Sequence, residues 1–434
     1  MLDIKFIREN VDLVKNAAKI KEIDVDIDKL LGLDKKRVEL IKKIDDLRSE
    51  RKSEKKPSKE EIEKIRKIKE ELAGKEENLR KIQVEYDDLM FRVPNIPSPD
   101  SPVGDESANK EVSRWGEIPK FEFPILDHVE LAKNLDLIDF EQGTNVSGFR
   151  GYYLKNEAVL LQMALMWMAL DKLRRKGFTL MIPPTLVREF ALTGSGQFPF
   201  AKTETYQVAN AGTDKDECLK DPLYLVGTAE PSLLAYNANK ILNVEDLPIK
   251  LCGFSQCYRS EVGSYGKDTR GAYRVHEFMK VEQVILCKAD LEESQKWLEQ
   301  LRETAEEMLT DLGLPHRVLS IATGDMGAGK YAMYDIETWM PARNAYGETH
   351  SDSNFTDWQT RRLNIRYKTK EGKLVHPYAL NNTMIASPRI LIALFENYQQ
   401  KDGSINIPEA LVKYLGFDKI VKKRRKVNEH FNYR

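Results

Sequence analysis

Between residues 26 and 91 apolar side chains return every seven residues, and a single proline interrupts the series. Leu30 and Ile44, with Leu33, Leu40 and Leu47, fill heptad positions of a first segment, into which Arg37 intrudes. Ile65, Leu72, Leu79 and Tyr86, with Ile68, Ile82 and Leu89, fill those of a second. Pro57 cannot lie in a helix interior, because it lacks an N–H and clashes with the preceding turn. Ser58 suits an N-cap, and Glu61 three residues on completes a capping box. A seven-residue apolar repeat needs a partner helix. Two helices joined by a tight turn can serve each other. The spacing predicts an antiparallel coiled-coil arm over about 26–91, roughly 45–50 Å long at about 1.5 Å per residue.

The tip of that arm is basic. Arg48, Arg51, Lys52, Lys55, Lys56 and Lys59 stand there against Glu50 and Glu54. Cations on a rigid lever suit a phosphate backbone. A solvated, charge-rich coiled coil is the structural alternative. The whole chain carries a net charge of −1, which excludes a uniformly basic nucleic-acid binder but not a basic patch.

The texture changes past residue 94. Residues 94–109 (PNIPSPDSPVGDESAN) are rich in proline and small residues and read as a linker. The chain thus divides into a helical part, residues 1–110, and a compact part, residues 111–434. An amphipathic helix is expected over 1–22, with Ile4, Ile7, Val11 and Val14 on one side. Beyond the linker, helices are expected at 127–139, 156–176, 229–240, 290–312 and 386–400. Strands are expected at 178–183, 223–227, 250–259, 273–286, 316–321, 333–339 and 374–380. Clustered strands with helices between them suggest an α+β fold on an antiparallel sheet. A basic tail closes the chain at 420–434.

Cys218, Cys252, Cys257 and Cys287 form no CxxC pair, and the six histidines show no HExxH spacing. Reduced thiols in a cytoplasmic protein and no structural zinc are expected. The opening MLDIKFIREN has no apolar signal segment, and the most apolar helix, 158–170, is too short to span a bilayer. No membrane association is expected.

One stretch carries the chemistry: CYRSEVGSYGKDTRGAYRVHEFMKVEQ, residues 257–283. Two strand-like runs flank a loop rich in glycine and charge. Side chains two apart on a strand share a face. Arg259 and Glu261 can do so on the first run. Arg274, His276, Phe278, Lys280 and Glu282 can do so on the second. A hairpin with an aromatic, cations and carboxylates on one surface offers what an anionic, ring-bearing ligand needs. A salt-bridged, solvated face is the alternative.

Arg259-Ser260-Glu261, the loop, and RVHEFMKVE at 274–282 resemble motif 2 of the class II aminoacyl-tRNA synthetases. GFTLMIPPTLV (177–187), TGSGQFPF (193–200), LYLVGTAE (223–230), YDIETWMP (334–341), SNFTDWQTRRL (353–363) and ENYQ (396–399) follow in family order, and the set is most similar to the seryl-tRNA synthetases. The resemblance covers nearly the whole chain. It implies an antiparallel class II catalytic domain with an N-terminal coiled-coil arm. It implies activation of L-serine by ATP and Mg²⁺, transfer to tRNA(Ser), and in some members to tRNA(Sec). It implies a homodimer, with 158–187 resembling the interface-building motif 1. The arm, through Arg48, Arg51, Lys52, Lys55 and Lys56, would grip tRNA across the subunit boundary.

Site roles follow from the same resemblance. Arg259 would neutralise the α-phosphate and seat the serine carboxylate, since an Arg fork suits oxyanions. Ser260, Glu261 and Val275 would line the ATP site, with Glu261 on the adenine amino group. Phe278 would stack under adenine, with Arg389 on its other face. Arg270 and His276 would meet the outer phosphates. Thr228, Ala229 and Glu230 match the serine-binding segment, with Glu282 and Thr383 completing the pocket. Glu348 and Ser351 match the Mg²⁺ segment, and Thr349 and His350 stand between them in place of a hydrophobic residue and serine. Arg259, Glu282 and Arg389 would carry catalysis. Asn382, Met384 and Pro388 replace small residues of motif 3, which predicts a reshaped floor of the ATP site.

GDMGAGKY (324–331) nearly spells a phosphate-binding P-loop, but Tyr331 stands where Ser or Thr must hold Mg²⁺. Two other functions compete with the ligase: a non-catalytic RNA-binding paralogue, and a ligase that loads a carrier protein. The retained Arg259, Glu261, Phe278, Glu282, Glu348 and Arg389 speak against the first. The full-length arm speaks against the second.

Overall fold

The computed structural model describes residues 1–50, 59–210, 212, 220, 222–262, 268 and 270–422. The helix expected over 1–22 is two helices, α1 (Ile4–Glu9) and α2 (Val11–Ile20). Asn10 parts them: its φ of −132° is not helical, and its side-chain amide donates to the Phe6 carbonyl at 3.0 Å. Asparagine competes with a helix in this way.

Helices α3 (Ile27–Glu50) and α4 (Lys59–Arg92) form the arm. Lys29 meets Glu85 at 3.4 Å near one end, and Arg48 meets Glu76 at 2.8 Å toward the other, so they run antiparallel. Leu30, Leu33 and Ile44 are buried against Ile68, Leu72 and Tyr86. The intruding Arg37 has a place in this seam. It lies over the Tyr86 ring at 4.6 Å and donates at 3.2 Å to Asp34, which is itself buried. Pro57, Ser58 and the tip cations Arg51, Lys52, Lys55 and Lys56 lie outside the described residues.

The main sheet has eight strands. They are β1 (Lys110–Trp115), β2 (Thr179–Met181), β3 (Ile249–Tyr258), β4 (Glu277–Cys287), β5 (His316–Ser320), β6 (Ala332–Met340), β7 (Ala345–Asn354) and β8 (Tyr378–Ala386). The spatial order is β1-β5-β6-β7-β8-β4-β3-β2, antiparallel except for β2 beside β3. Helices α5 (Glu157–Arg175), α6 (Leu291–Asp311) and α8 (Ser387–Tyr398) bring buried side chains such as Leu165, Met308 and Phe395 into the main core. A short helix, α7 (Trp358–Arg362), joins this part to the arm.

Two expected strands differ. The run at 273–286 becomes a strand only at Glu277, and the one at 374–380 divides into a short strand, Leu374–Val375, and the start of β8 at Tyr378. β1 and β7 are not among the expected strands. β7 (AYGETHSDSN) is polar and has no apolar alternation. Pairing on both sides makes it a strand, against its weak propensity.

Strand alternation decides what faces which side of the sheet. Glu282 lies opposite Thr383 across β4 and β8, and Gln283 lies opposite Asn382. Thr383 lines a surface cleft. Asn382 points the other way and donates to the Leu301 carbonyl of α6 at 2.9 Å.

The helical part is fastened to the sheet by polar contacts. The buried Lys21 ammonium donates to the carbonyls of Gly327 (3.4 Å), Ala328 (3.2 Å) and Lys330. Asn95 donates to the Gly329 carbonyl at 3.1 Å, and the Trp358 indole donates to the Val93 carbonyl at 3.1 Å. The P-loop-like segment is therefore a docking strap for the helical part, residues 1–110. Among the described residues, no helix is long and apolar enough to cross a membrane.

Candidate active site

The cleft opens where β4, β7 and β8 lie side by side, and Arg259, Glu261, Val275, Phe278, Glu348 and Arg389 line it. Arg259 follows the end of β3. Its backbone N–H donates to the His276 carbonyl at 2.9 Å, and its Nε donates to the Gly227 carbonyl at 3.3 Å. Its guanidinium lies over the Phe278 ring at 5.3 Å. Arg389, in the first turn of α8, rests on the Tyr273 ring at 4.4 Å. It also donates to the Glu348 carboxylate at 3.1 Å. Two guanidiniums and the Phe278 ring thus converge, which suits an aromatic anion.

Glu261 sits at φ +53°, a conformation that non-glycine residues rarely hold. Its carboxylate is held by Arg274 at 3.3 Å and Arg150 at 3.6 Å. Arg259 also lines an adjoining cavity of about 310 Å³, bounded by Gln197, Glu204, Gly227 and Thr228.

A charged cluster extends inward from the cleft wall, where Lys280 and Thr383 lie. Lys280 Nζ is 2.5 Å from the Glu282 carboxylate and 3.4 Å from the Thr383 hydroxyl, and all three residues are buried. Glu230 opens a short helix, Glu230–Ala235, at its edge. Burial pushes the Glu230 carboxyl up to about 7; an N–H from Gln359 opposes this, and the Glu282 charge adds to it. The Thr228 hydroxyl is buried and has no hydrogen-bond partner among the described residues.

Glu348 and Ser351 stand on β7 beside β6, where Asp335 pairs with Ser351 in register. Burial, and then the Glu348 charge, push the Asp335 carboxyl well above the ordinary carboxylate range. The Glu348 carboxylate, the Asp335 carboxyl and the Ser351 hydroxyl gathered here form a hard-oxygen set of the kind Mg²⁺ prefers.

Several expected residues lie elsewhere. His276 turns its ring back to the Arg259 carbonyl at 2.9 Å and lines a different cavity, because β4 has not yet begun at that position. Ser260 donates to the Thr203 carbonyl at 3.2 Å, away from the cleft. Ala229 is fully buried, in a hydrophobic cluster with Leu233 and Val284. Arg270 is 68% exposed and pairs with Asp127 at 3.2 Å. His350 is buried, with ring nitrogens 2.8 Å from the Thr349 hydroxyl and 3.2 Å from the Met384 carbonyl; burial lowers it to about 3, so it stays neutral. Thr349 lines the cleft and holds Thr338 at 2.7 Å.

The reshaped floor expected from motif 3 is not found. Asn382 and Met384 alternate to the far side of the sheet, away from Thr383. Only Pro388 reaches the cleft wall. Lys280, Asp335 and Gln359 were given no role by sequence reasoning. Lys280 was legible, since it shares strand parity with Phe278 and Glu282. Asp335 and Gln359 depend on contacts between separate segments.

Residues 1–97 match the model of the seryl-tRNA synthetase N-terminal domain, and residues 206–398 match that of the class II tRNA synthetase core domain (G, H, P, S and T). The chain is 45% identical to the serine–tRNA ligase of Deinococcus radiodurans, over 96% of this chain and 98% of that one. It is 44% identical to that of Borreliella afzelii, over 97% and 99%. Among solved structures it is similar to the seryl-tRNA synthetase of Pyrococcus horikoshii complexed with ATP, with a TM-score of 0.86 and 38% identity, covering 98% of this chain and 100% of that one. The cytoplasmic serine–tRNA ligase of Naegleria fowleri in complex with AMP gives a TM-score of 0.84 at 30% identity, over 98% and 99%. The cleft, the charged cluster at its wall and the arm therefore stand in a family frame that spans the chain: it belongs to the seryl-tRNA synthetases, the serine–tRNA ligases of class II.

Proposed function

We propose that this chain activates L-serine with ATP and transfers it to tRNA(Ser). A serine carboxylate oxygen attacks the α-phosphorus, the bond to the β-phosphate breaks, and pyrophosphate leaves. A terminal ribose hydroxyl of tRNA then attacks the seryl carbonyl, and AMP leaves. A carboxylate is already a nucleophile, so the protein supplies position and charge rather than a general base. The observation that carries the reading is the Arg259–Phe278–Arg389 cleft with Thr383 in its wall, where Lys280 links Thr383 to the buried Glu282.

Arg259 takes the α-phosphate and serine carboxylate. It must swing off Phe278 before adenine can stack there. Glu261 and the backbone at Val275 meet adenine, with Arg389 above it. Glu230 and Thr228 receive the serine ammonium, and Glu282 and Thr383 the hydroxyl. A pocket built to bond a hydroxyl leaves polar groups unpaired when alanine enters. Glu348 and Ser351 would hold Mg²⁺, and Asp335 adjoins them. The hard oxygens fit that ion, which when bound neutralises phosphate charge.

The arm belongs to residues 1–110 and serves tRNA; catalysis belongs to 111–434. A homodimer is favoured by α5, where Leu160, Met163 and Trp167 lie exposed along one face. Buried thiols at Cys252, Cys257 and Cys287 suit a cytoplasmic setting. Serine-dependent exchange of pyrophosphate into ATP tests the whole reading, with alanine, threonine and glycine as controls. Exchange with serine alone is expected. Exchange with no amino acid, from folded protein, would return the non-catalytic paralogue.

A further inference from the structure

Gln359 lies on the five-residue helix α7 and is 1% exposed. Its side-chain Nε2 donates to the Glu230 carboxylate at 2.6 Å and to the Ser195 carbonyl at 2.7 Å. Both partners are acceptors, so the amide cannot flip: its oxygen would then face two oxygens. The donor is thus locked toward Glu230. Its helix is locked too, by the Trp358 indole on the Val93 carbonyl at 3.1 Å and by Arg362 over the Trp358 ring at 3.6 Å.

We infer that Gln359 is a positioning residue of the serine pocket, holding the Glu230 carboxylate charged and aimed, and so setting the pH range over which serine binds. This rests on reading that pocket as the serine site. An N–H donated to a carboxylate favours its charged form, and only that form accepts fully from an ammonium. The other charged groups acting on Glu230 are Glu282 and Lys280 of β4 and Lys330 of the segment before β6. Glu282 disfavours its charge and the two lysines favour it. Gln359 is the neutral group that both orients the carboxylate and tips this balance.

The test is the serine KM in pyrophosphate exchange across neutral pH, for wild type, Gln359→Leu and the isosteric Gln359→Glu. Losing the donor should displace the low-pH rise in serine KM upward by about one pH unit, or about fivefold at pH 7, with kcat and the ATP KM unchanged. In Gln359→Glu two carboxylates share a proton, which displaces the rise further. Profiles that superimpose on wild type would overturn the inference. So would a Gln359→Leu enzyme whose kcat, ATP KM and melting temperature fall together without displacement. Glu230→Gln separates the two levels. Should it keep the wild-type serine KM, the pocket reading itself fails and takes this inference with it. Should it lose serine binding while the Gln359 profiles stay put, only the role of Gln359 fails.

Discussion

Arg389 and Glu348 are bound to each other twice: one guanidinium nitrogen donates to the Glu348 carboxylate at 3.1 Å and to its backbone carbonyl at 2.7 Å. The cleft walls disfavour the Glu348 charge, and Arg389 outweighs them, holding the carboxyl below its ordinary range. Arg389 therefore keeps the oxygen proposed to hold Mg²⁺ charged before any ligand arrives. Arg389→Ala should lower kcat/KM for ATP in pyrophosphate exchange by about 100-fold or more. Arg389→Lys should restore little, because an ammonium lacks the planar face that rests on Tyr273. An unaffected alanine variant would remove Arg389 from the site.

Arg259 bridges the cleft and the adjoining cavity. Its loss removes charge from the α-phosphate but no core packing. Arg259→Ala should cut adenylate formation by about 100-fold or more and leave the melting temperature and oligomeric state unchanged. Normal exchange in that variant would sink the assignment.

Serine binding should depend on pH through Glu230, whose carboxyl burial raises to about 7. The raised value means the group is neutral below pH 7 and charged above it. A neutral carboxyl no longer attracts the serine ammonium. The serine KM should climb up to about tenfold per pH unit below about pH 7 and stay level above it. A serine KM that is flat through acid pH would exclude Glu230 as the ammonium partner.

The exposed face of α5 offers a direct test of assembly. Trp167 is 63% exposed, and Ile182, just past β2, is 83% exposed. Trp167→Glu would bury a charge in any two-fold contact made there. Sedimentation velocity should show monomers, with exchange activity reduced. A dimer that persists would place the contact elsewhere.

At the arm tip, replacing Arg51, Lys52, Lys55 and Lys56 with glutamine should weaken tRNA binding and flatten its salt dependence by about one unit of slope per lost phosphate contact. Serine-dependent exchange should not change. Arg48 should contribute less than the others, because its guanidinium is already paired with Glu76 across the arm. An unchanged slope would leave the tip as solvated surface.

Much of this was legible because it is local. The heptads of Leu30–Leu47 and Ile65–Leu89 specify two long helices by period alone. The residue types of 259–282 point to an anion and ring site, and the order of the motifs specifies the family. Even Lys280 was within reach, through strand parity with Phe278 and Glu282. Where local signals conflicted, the reading slipped. Asn10 splits a helix that apolar spacing alone would carry through. His276 has the parity of Phe278 but precedes the first residue of β4, so parity does not apply to it.

The rest belongs to the tertiary structure, and the reason is sequence distance. Gln359 and Glu230 are 129 residues apart, and no period or motif can express their hydrogen bond. Asp335 joins Glu348 and Ser351 only because β6 and β7 pair, with a shift of register between Ile336 and Glu337. Asn382 and Met384 look like changes to the floor of the site until pairing with β4 turns them to the other face. Composition and period determined which elements form and what chemistry the chain carries. Which side chains meet, and so which carboxylate is charged and which histidine is inert, was decided by burial and register, because both act between segments that the sequence keeps far apart.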